Sequence, residues 1–341
     1  MIDLSHYNTL RIPAKAKNLI EINSDTDIKK LPSENIIFLG EGANIFFKSP
    51  QLDQLAKINL KGKKVIKETD DSVTVEVAAG DSWHDLVTWA INHNLSGIEN
   101  MALIPGKIAA AAAGNIAAYG QNQEDVFVKL SGFNLVTKKI EEFAKNDMQF
   151  GYRESIFKKK PLNYLITSVT YKLNKTAHLE LSYQAARHAS LIPTLQQIAK
   201  EPYTIKDVYN AVIKIRTEKL PDPKKIGTAG SFFKNPVTTR KHYEKLSTHV
   251  PDLQSYPVEK LKYDNIDPSA QSIKLPAGRL LDELGWRGKR IGNVGTYPTH
   301  ALTVVTYPGA TGQEVWEFSE NMRADVKKNF NLDLEYEVVI V

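Results

Sequence analysis

The chain has 341 residues, enough for two or three domains with a sizeable core. It contains no cysteine, which excludes disulfides, a thiolate nucleophile and cysteine-ligated metal. Lysine and arginine number 44 against 39 aspartates and glutamates, a mild excess that allows anionic small-molecule partners but comes with no motif that reads DNA or RNA.

The start, Met1-Ile2-Asp3-Leu4-Ser5-His6, lacks a basic stretch followed by an apolar one, and no apolar run reaches membrane-spanning length. A soluble, cytoplasmic protein with no membrane or nucleic-acid partner is expected. After Asn8-Thr9-Leu10-Arg11 the chain to about Lys57 alternates short apolar runs with polar breaks, a small β-rich unit. Within it, Phe38-Leu39-Gly40-Glu41-Gly42-Ala43-Asn44-Ile45-Phe46-Phe47 reads as strand, tight turn, strand: two glycines and an asparagine tolerate positive φ, and a second apolar run follows. No helix follows the turn, so neither Gly-x-Gly-x-x-Gly nor a P-loop is present. An anion-binding backbone nest and an ordinary hairpin turn both remain open.

Val73, Val75 and Val77 alternate with polar residues as a half-buried strand ending at Ala78-Ala79-Gly80. Asp81 or Ser82 then caps a helix with Trp83, Leu86, Val87 and Ala90 on one face, stopping near Asn94. The lysines at 61, 63, 64 and 67, and those at 158 to 160, read as solvated surface. The run from Ile104-Pro105-Gly106 through Ala109, Ala110, Ala112, Asn115 and Ala117 to Tyr119-Gly120 is dense in small side chains. It allows a close neighbour, a flat ligand or a buried alanine helix, with a loop at each end. Strands follow at Ser131 to Val136 and Tyr164 to Leu173; between them Arg153 stands among aromatics, either stacked at the surface or clamping an anion.

Thr204-Ile205-Lys206-Asp207 has capping-box form before a helix with Val208, Ala211, Val212 and Ile215 inward and a basic last turn. A second domain is expected from about Val212. It contains a helix from Ala277 to Leu284, a strand from Ala301 to Val305, a helix opened by the capping box Thr311 to Glu314, and a final strand in which Leu332, Leu334, Tyr336 and Val338 share a face. Ala229 and Phe233 stand where a hydrolase elbow around Ser231 needs glycine, and the eight histidines show no zinc-type spacing, so no metal is expected.

Asn8-Thr9, Gly40-Glu41-Gly42-Ala43-Asn44, Ala102-Leu103-Ile104-Pro105-Gly106, Asn115-Ile116, Gly151-Tyr152-Arg153-x-Ser155-x-Phe157, Lys219-Leu220-Pro221-Asp222-Pro223 and Ala229-Gly230-Ser231-Phe232-Phe233-Lys234-Asn235-Pro236 occur in one order. In these strings the chain resembles the UDP-N-acetylenolpyruvoylglucosamine reductases. Tyr183 points to the type I branch, with a tyrosine-bearing loop over the substrate. The resemblance implies an α+β protein. A flavin domain of the vanillyl-alcohol oxidase and p-cresol methylhydroxylase type would run from residue 12 to 175, its two subdomains spanning 1–58 and 59–211. A substrate domain would occupy 212–341, its last strand packing back near the flavin.

It further implies FAD held by Gly40, Glu41, Gly42, Ala43 and Asn44 at its pyrophosphate, with Pro105, Gly106, Ala110, Asn115 and Ala117 along the isoalloxazine. NADPH would be co-substrate and a UDP-sugar the substrate, in a monomer serving peptidoglycan synthesis and hence cell shape and division. By the same resemblance Arg153 clamps the enolpyruvyl carboxylate, Ser231 donates the proton, and Glu337 polarises the substrate. Tyr119, Tyr183, Arg216, Lys219, Lys234 and Asn235 would hold the UDP-sugar. A relative that binds flavin or UDP-sugar without turnover is the alternative. Alanines and Gly114 replace the family's usual glycine, polar residues, proline and glutamine between 109 and 117. Positive φ at Ala109 or Ala117 would cost on the order of 1 kcal/mol each and the lost polar side chains remove flavin hydrogen bonds, so FAD binding is expected to be weaker than usual, by one or two orders of magnitude if about 1.4 to 2.8 kcal/mol is lost.

Overall fold

The computed structural model describes residues 1–33, 36–159, 163–182, 191–258 and 271–341. Contacts divide the chain into two units, each built from separate stretches. The larger comprises Lys17–Glu41 and Asp53–Glu218, and the smaller Met1–Ala16, Gly42–Leu52 and Lys219–Val341. The boundary expected near Val212 falls inside the helix Ile205–Lys219; contacts change hands at the end of that helix.

In the larger unit an antiparallel sheet runs in the order Ile140–Ala144, Phe127–Asn134, Tyr164–Asn174, Ser72–Ala78, Lys63–Glu68. Every residue of the Lys63–Glu68 edge is exposed, and its lysines discourage pairing with another chain. Val73, Val75 and Val77 point into the core that receives Trp83, Leu86, Val87 and Ala90 of the helix Trp83–Asn92. That helix begins where Ser82 accepts the Asp85 N–H, as its sequence predicts. Trp83 meets Tyr171 edge-on at 5.7 Å, and each such fully buried large side chain contributes about 1.5–3 kcal/mol. The helix Ile205–Lys219 carries the predicted reciprocal cap between Thr204 and Asp207.

In the smaller unit a sheet runs Gly227–Ser231, His300–Thr306, Val294–Tyr297, Arg290–Ile291. The helix Gly312–Phe330 opens on the Thr311/Glu314 capping box and buries Val315, Phe318, Met322 and Val326, as read from the sequence. The turn around Gly42 is followed by the strand Ile45–Phe46, which pairs in parallel with Val339–Ile340. Gly42 lies at φ +68°, and a Cβ there would sit 2.1 Å from the Tyr7 carbonyl oxygen, so only glycine fits. The final stretch alternates as expected, with Leu332, Leu334 and Val338 buried, but only Val339–Ile340 forms a continuous strand. Ahead of that strand, Tyr336 meets Phe233 through a single bridge.

Candidate functional site

In the larger unit the alanine run forms the short helix Ile108–Ala113, loop-bounded on both sides. Its small side chains let it lie on the strands Tyr164–Asn174 and Ser72–Ala78, and its start is fixed by Ile108 and Ala109 N–H donating to the carbonyls of Asp81 and Ala79, both at 3.0 Å. Neither Ala109 nor Ala117 has positive φ; that conformation falls instead on Leu103, Asn115, Tyr119 and Arg153, at 54°, 40°, 46° and 60°. The backbone strain expected at the alanines is therefore absent. What the alanines lack is polar side chains.

Arg153 donates through Nη2 to the Ala117 carbonyl at 2.9 Å and through Nη1 to that of Asn115 at 3.4 Å. Asn115, 5 % exposed, donates from Nδ2 to Gly151 O and Glu124 Oε2, while its Oδ1 is buried with no partner. Ser155 Oγ donates to the Ala113 carbonyl at 2.7 Å. The Gly151 to Phe157 motif is thus stapled to the end of the alanine helix, so the arginine the sequence singles out and the small-residue segment form one structure.

Arg216 reaches the same region. Its Nη2 donates to Leu103 O at 3.3 Å, and its Nε is buried with no partner. Burial holds its guanidinium below the ordinary arginine pKa; a hydrogen bond and charge from Tyr119 oppose that, and Arg153 adds to it. Arg153, Tyr119 and Arg216 are therefore electrostatic neighbours, which sequence spacing could not show. Sequence reading missed His84, whose Nδ1 accepts the Leu103 N–H at 3.1 Å. A histidine two residues past a helix cap carries no motif that would have marked it. At the glycine turn, Glu41 forms an ion pair with Lys107 at 2.8 Å and accepts the Gly106 N–H at 2.9 Å. The donors beside Gly40 thus already hold an anion, one of the chain's own carboxylates.

In the smaller unit Ser231 ends the strand Gly227–Ser231, just after Gly230 at φ +73°. The Lys234 N–H donates to Glu335 O at 2.8 Å and the Glu337 N–H to Phe232 O at 3.0 Å, which sets Glu337 beside the Ser231 end of the Phe232 to Lys234 stretch. Lys234 Nζ pairs with Glu335 at 3.4 Å. Asn235 Oδ1 accepts the Ala277 N–H at the start of Ala277–Glu283, which makes this residue a cap as well as a candidate ligand. Asn44 Nδ2 donates to Glu337 O at 3.3 Å, and the Lys219 carbonyl accepts from Thr299 Oγ1 at 2.7 Å. Ala43 lies between Gly42 and Asn44 in the turn. Tyr183 lies outside the described residues. Among the described residues no cluster of His, Asp or Glu could hold a metal ion.

The FAD binding domain family matches residues 10–139, and the family described as the C-terminal domain of UDP-N-acetylenolpyruvoylglucosamine reductase matches 222–341. A UDP-N-acetylenolpyruvoylglucosamine reductase of Flavobacterium johnsoniae is 40% identical, covering 99% of this chain and 98% of the relative. The chain belongs to the UDP-N-acetylenolpyruvoylglucosamine reductase family. Its Pseudomonas aeruginosa relative of that name is 34% identical over 98% of this chain and 96% of its own length. A Thermus caldophilus reductase structure superposes with TM-score 0.65 at 21% identity, covering 100% of this chain and 97% of that one, which bears on the fold. This reductase-family chain is an α+β flavoprotein: an FAD domain of the vanillyl-alcohol oxidase and p-cresol methylhydroxylase type with a smaller α+β domain. The residues present fit FAD. Asn115 Oδ1 is a buried acceptor without a partner, and a flavin edge carries the complementary N–H donor.

Proposed function

We propose that this chain reduces UDP-N-acetylglucosamine enolpyruvate to UDP-N-acetylmuramate, with FAD as resident cofactor and NADPH as reductant, in cytoplasmic synthesis of peptidoglycan precursor. The observation that carries the reading is the register of Ser231, Phe232 and Lys234 against Glu335 and Glu337. It sets a hydroxyl, a carboxyl and an ammonium on adjoining backbone within a family whose name states this chemistry. When bound, FAD supplies a hydride that NADPH replenishes.

The chain's residues do the rest. Arg153 holds the enolpyruvyl carboxylate with its planar fork, an interaction that strengthens as charge spreads onto that group. Ser231 Oγ–H gives its proton to the carbon next to the carboxylate, and Glu337 orients the substrate there. Asn115 and the backbone of Pro105, Gly106, Ala110 and Ala117 line the flavin; Gly40 to Asn44 take its pyrophosphate. Lys219 and Tyr183 hold the diphosphate of the UDP-sugar, and Tyr119, Arg216, Lys234 and Asn235 contribute to its binding. The larger unit is the flavin unit and the smaller the substrate unit. The protein works as a monomer. Among the described residues no helix is long and apolar enough to cross a membrane.

The test is spectroscopic. The purified protein should show flavin absorbance that NADPH bleaches and UDP-N-acetylglucosamine enolpyruvate restores. Flavin-loaded protein whose NADPH consumption ignores that substrate would instead be a binder without turnover. Ser231→Ala should lower kcat by about 10²- to 10⁴-fold with flavin retained.

A further inference from the structure

Ser231 is paired across the sheet with Thr303. Around that pair the Phe232 N–H donates to the Leu302 carbonyl at 3.0 Å, the pattern that flanks a non-hydrogen-bonded antiparallel pair. In such a pair the Cα atoms approach to about 4.5 Å and the two side chains project side by side from one face. The neighbours of Thr303 point the other way: a Cβ built on Gly278 of the helix Ala277–Glu283 would lie 3.6 Å from both Leu302 Cβ and His300 Cε1. Thr303 is 0 % exposed, and its Oγ1 has no hydrogen-bond partner. A fully buried hydroxyl in mid-strand without a partner is a cost that valine, of the same shape, would not incur.

We infer that the Thr303 hydroxyl is a positioning residue for Ser231, donating to Ser231 Oγ as the serine gives up its proton. The inference rests on the assignment of Ser231 as proton donor. A serine hydroxyl is a weak acid. When its O–H bond breaks and the new C–H bond forms, the electron pair stays on Oγ, and a neighbouring O–H aimed at that oxygen stabilises the charge where it appears. Thr303 keeps its own proton; water reprotonates Ser231 after product leaves. Threonine and serine across a non-hydrogen-bonded pair are a known hydrogen-bonding combination, and a turn about χ1 of either residue closes it.

Thr303→Val separates this role from packing, because the two predict opposite signs. The variant should keep or raise the melting temperature of the flavin-free protein, since an unsatisfied hydroxyl is removed, while kcat falls by about ten- to hundredfold and the solvent deuterium effect on kcat grows. Thr303→Ser should stay within about threefold of the parent. In a Ser231→Ala background, Thr303→Val should add no further loss. If Thr303→Val keeps full kcat while Ser231→Ala loses it, the role of Thr303 is overturned and that of Ser231 stands. A loss of melting temperature in step with kcat also overturns it, assigning the hydroxyl to packing. If Ser231→Ala itself keeps full kcat, the reading of Ser231 falls first.

Discussion

Replacing His84 tests how the larger unit holds the strained peptide that leads into its small-residue segment. Leu103 sits at φ +54°, which costs a residue with a Cβ on the order of 1 kcal/mol. Its peptide is held at both ends, the N–H by His84 Nδ1 at 3.1 Å and the carbonyl by Arg216 at 3.3 Å. Because Nδ1 accepts, the ring proton is on Nε2, and a doubly protonated ring could not make this bond. Burial holds the His84 pKa below that of an ordinary imidazole, opposed by Asp85 and assisted by Arg216; Tyr209 stacks on the ring at 6.0 Å. The unfolded chain therefore binds more protons than the folded one between the folded value and about 6.5, so stability rises with pH there. The contribution of neutral His84 is complete above about pH 6.5 and is lost as pH falls toward the folded value. His84→Phe leaves the Leu103 N–H without an acceptor and should cost about 1–3 kcal/mol at pH 8. His84→Asn keeps an acceptor near Nδ1 and does not titrate. Urea unfolding and amide exchange at Leu103, followed from pH 5.5 to 8, read both effects. The advantage of the parent over His84→Asn should shrink as pH falls. A gap constant across that range, or a His84→Phe loss under about 0.5 kcal/mol, would refute the reasoning.

Gly42→Ala should prevent stable folding of the smaller unit or lower its stability by about 2–4 kcal/mol, since a Cβ would meet Tyr7 O at 2.1 Å in a left-handed conformation; thermal unfolding checks it. Arg153→Lys loses the fork that reaches both the Ala117 and Asn115 carbonyls, and kcat/KM should fall by about 10²- to 10³-fold at matched flavin loading. With backbone strain absent at Ala109 and Ala117, the missing polar side chains alone should weaken FAD binding by about tenfold, and Ala110→Ser should recover part of it in a flavin titration of the apoprotein.

The sequence was most informative where the causes are local. The capping pairs Thr204/Asp207 and Thr311/Glu314 start helices where their spacing says they should, and the valine alternation at 73 to 77 finds its buried face. The glycine turn was legible because Gly42 has only one residue type that fits. Distant causes were not legible. Left-handed conformations fall on Asn115, Tyr119 and Arg153, and only the asparagine advertises that tolerance. The closing strand shrinks to Val339–Ile340, the two residues that the short strand Ile45–Phe46 pairs, while Tyr336 meets Phe233 in a single bridge, a fact of the partners rather than of the alternation. His84 acquires a task through a peptide nineteen positions away. Thr303 stands out once its register with Ser231 is known.

The smaller unit is assembled from pieces that lie far apart along the polypeptide. Lys48 and Ser49 N–H both donate to the Val341 carbonyl, the Thr228 N–H donates to Thr9 O, and Phe46 packs on Phe232. A fragment beginning at Lys219 would have the right letters for a separate domain and still present bare aromatic surface and open backbone edges. Anyone dissecting this protein by truncation should expect the half bearing Ser231 to stay unfinished until residues 1–16 and 42–52 are present together with residues 219–341.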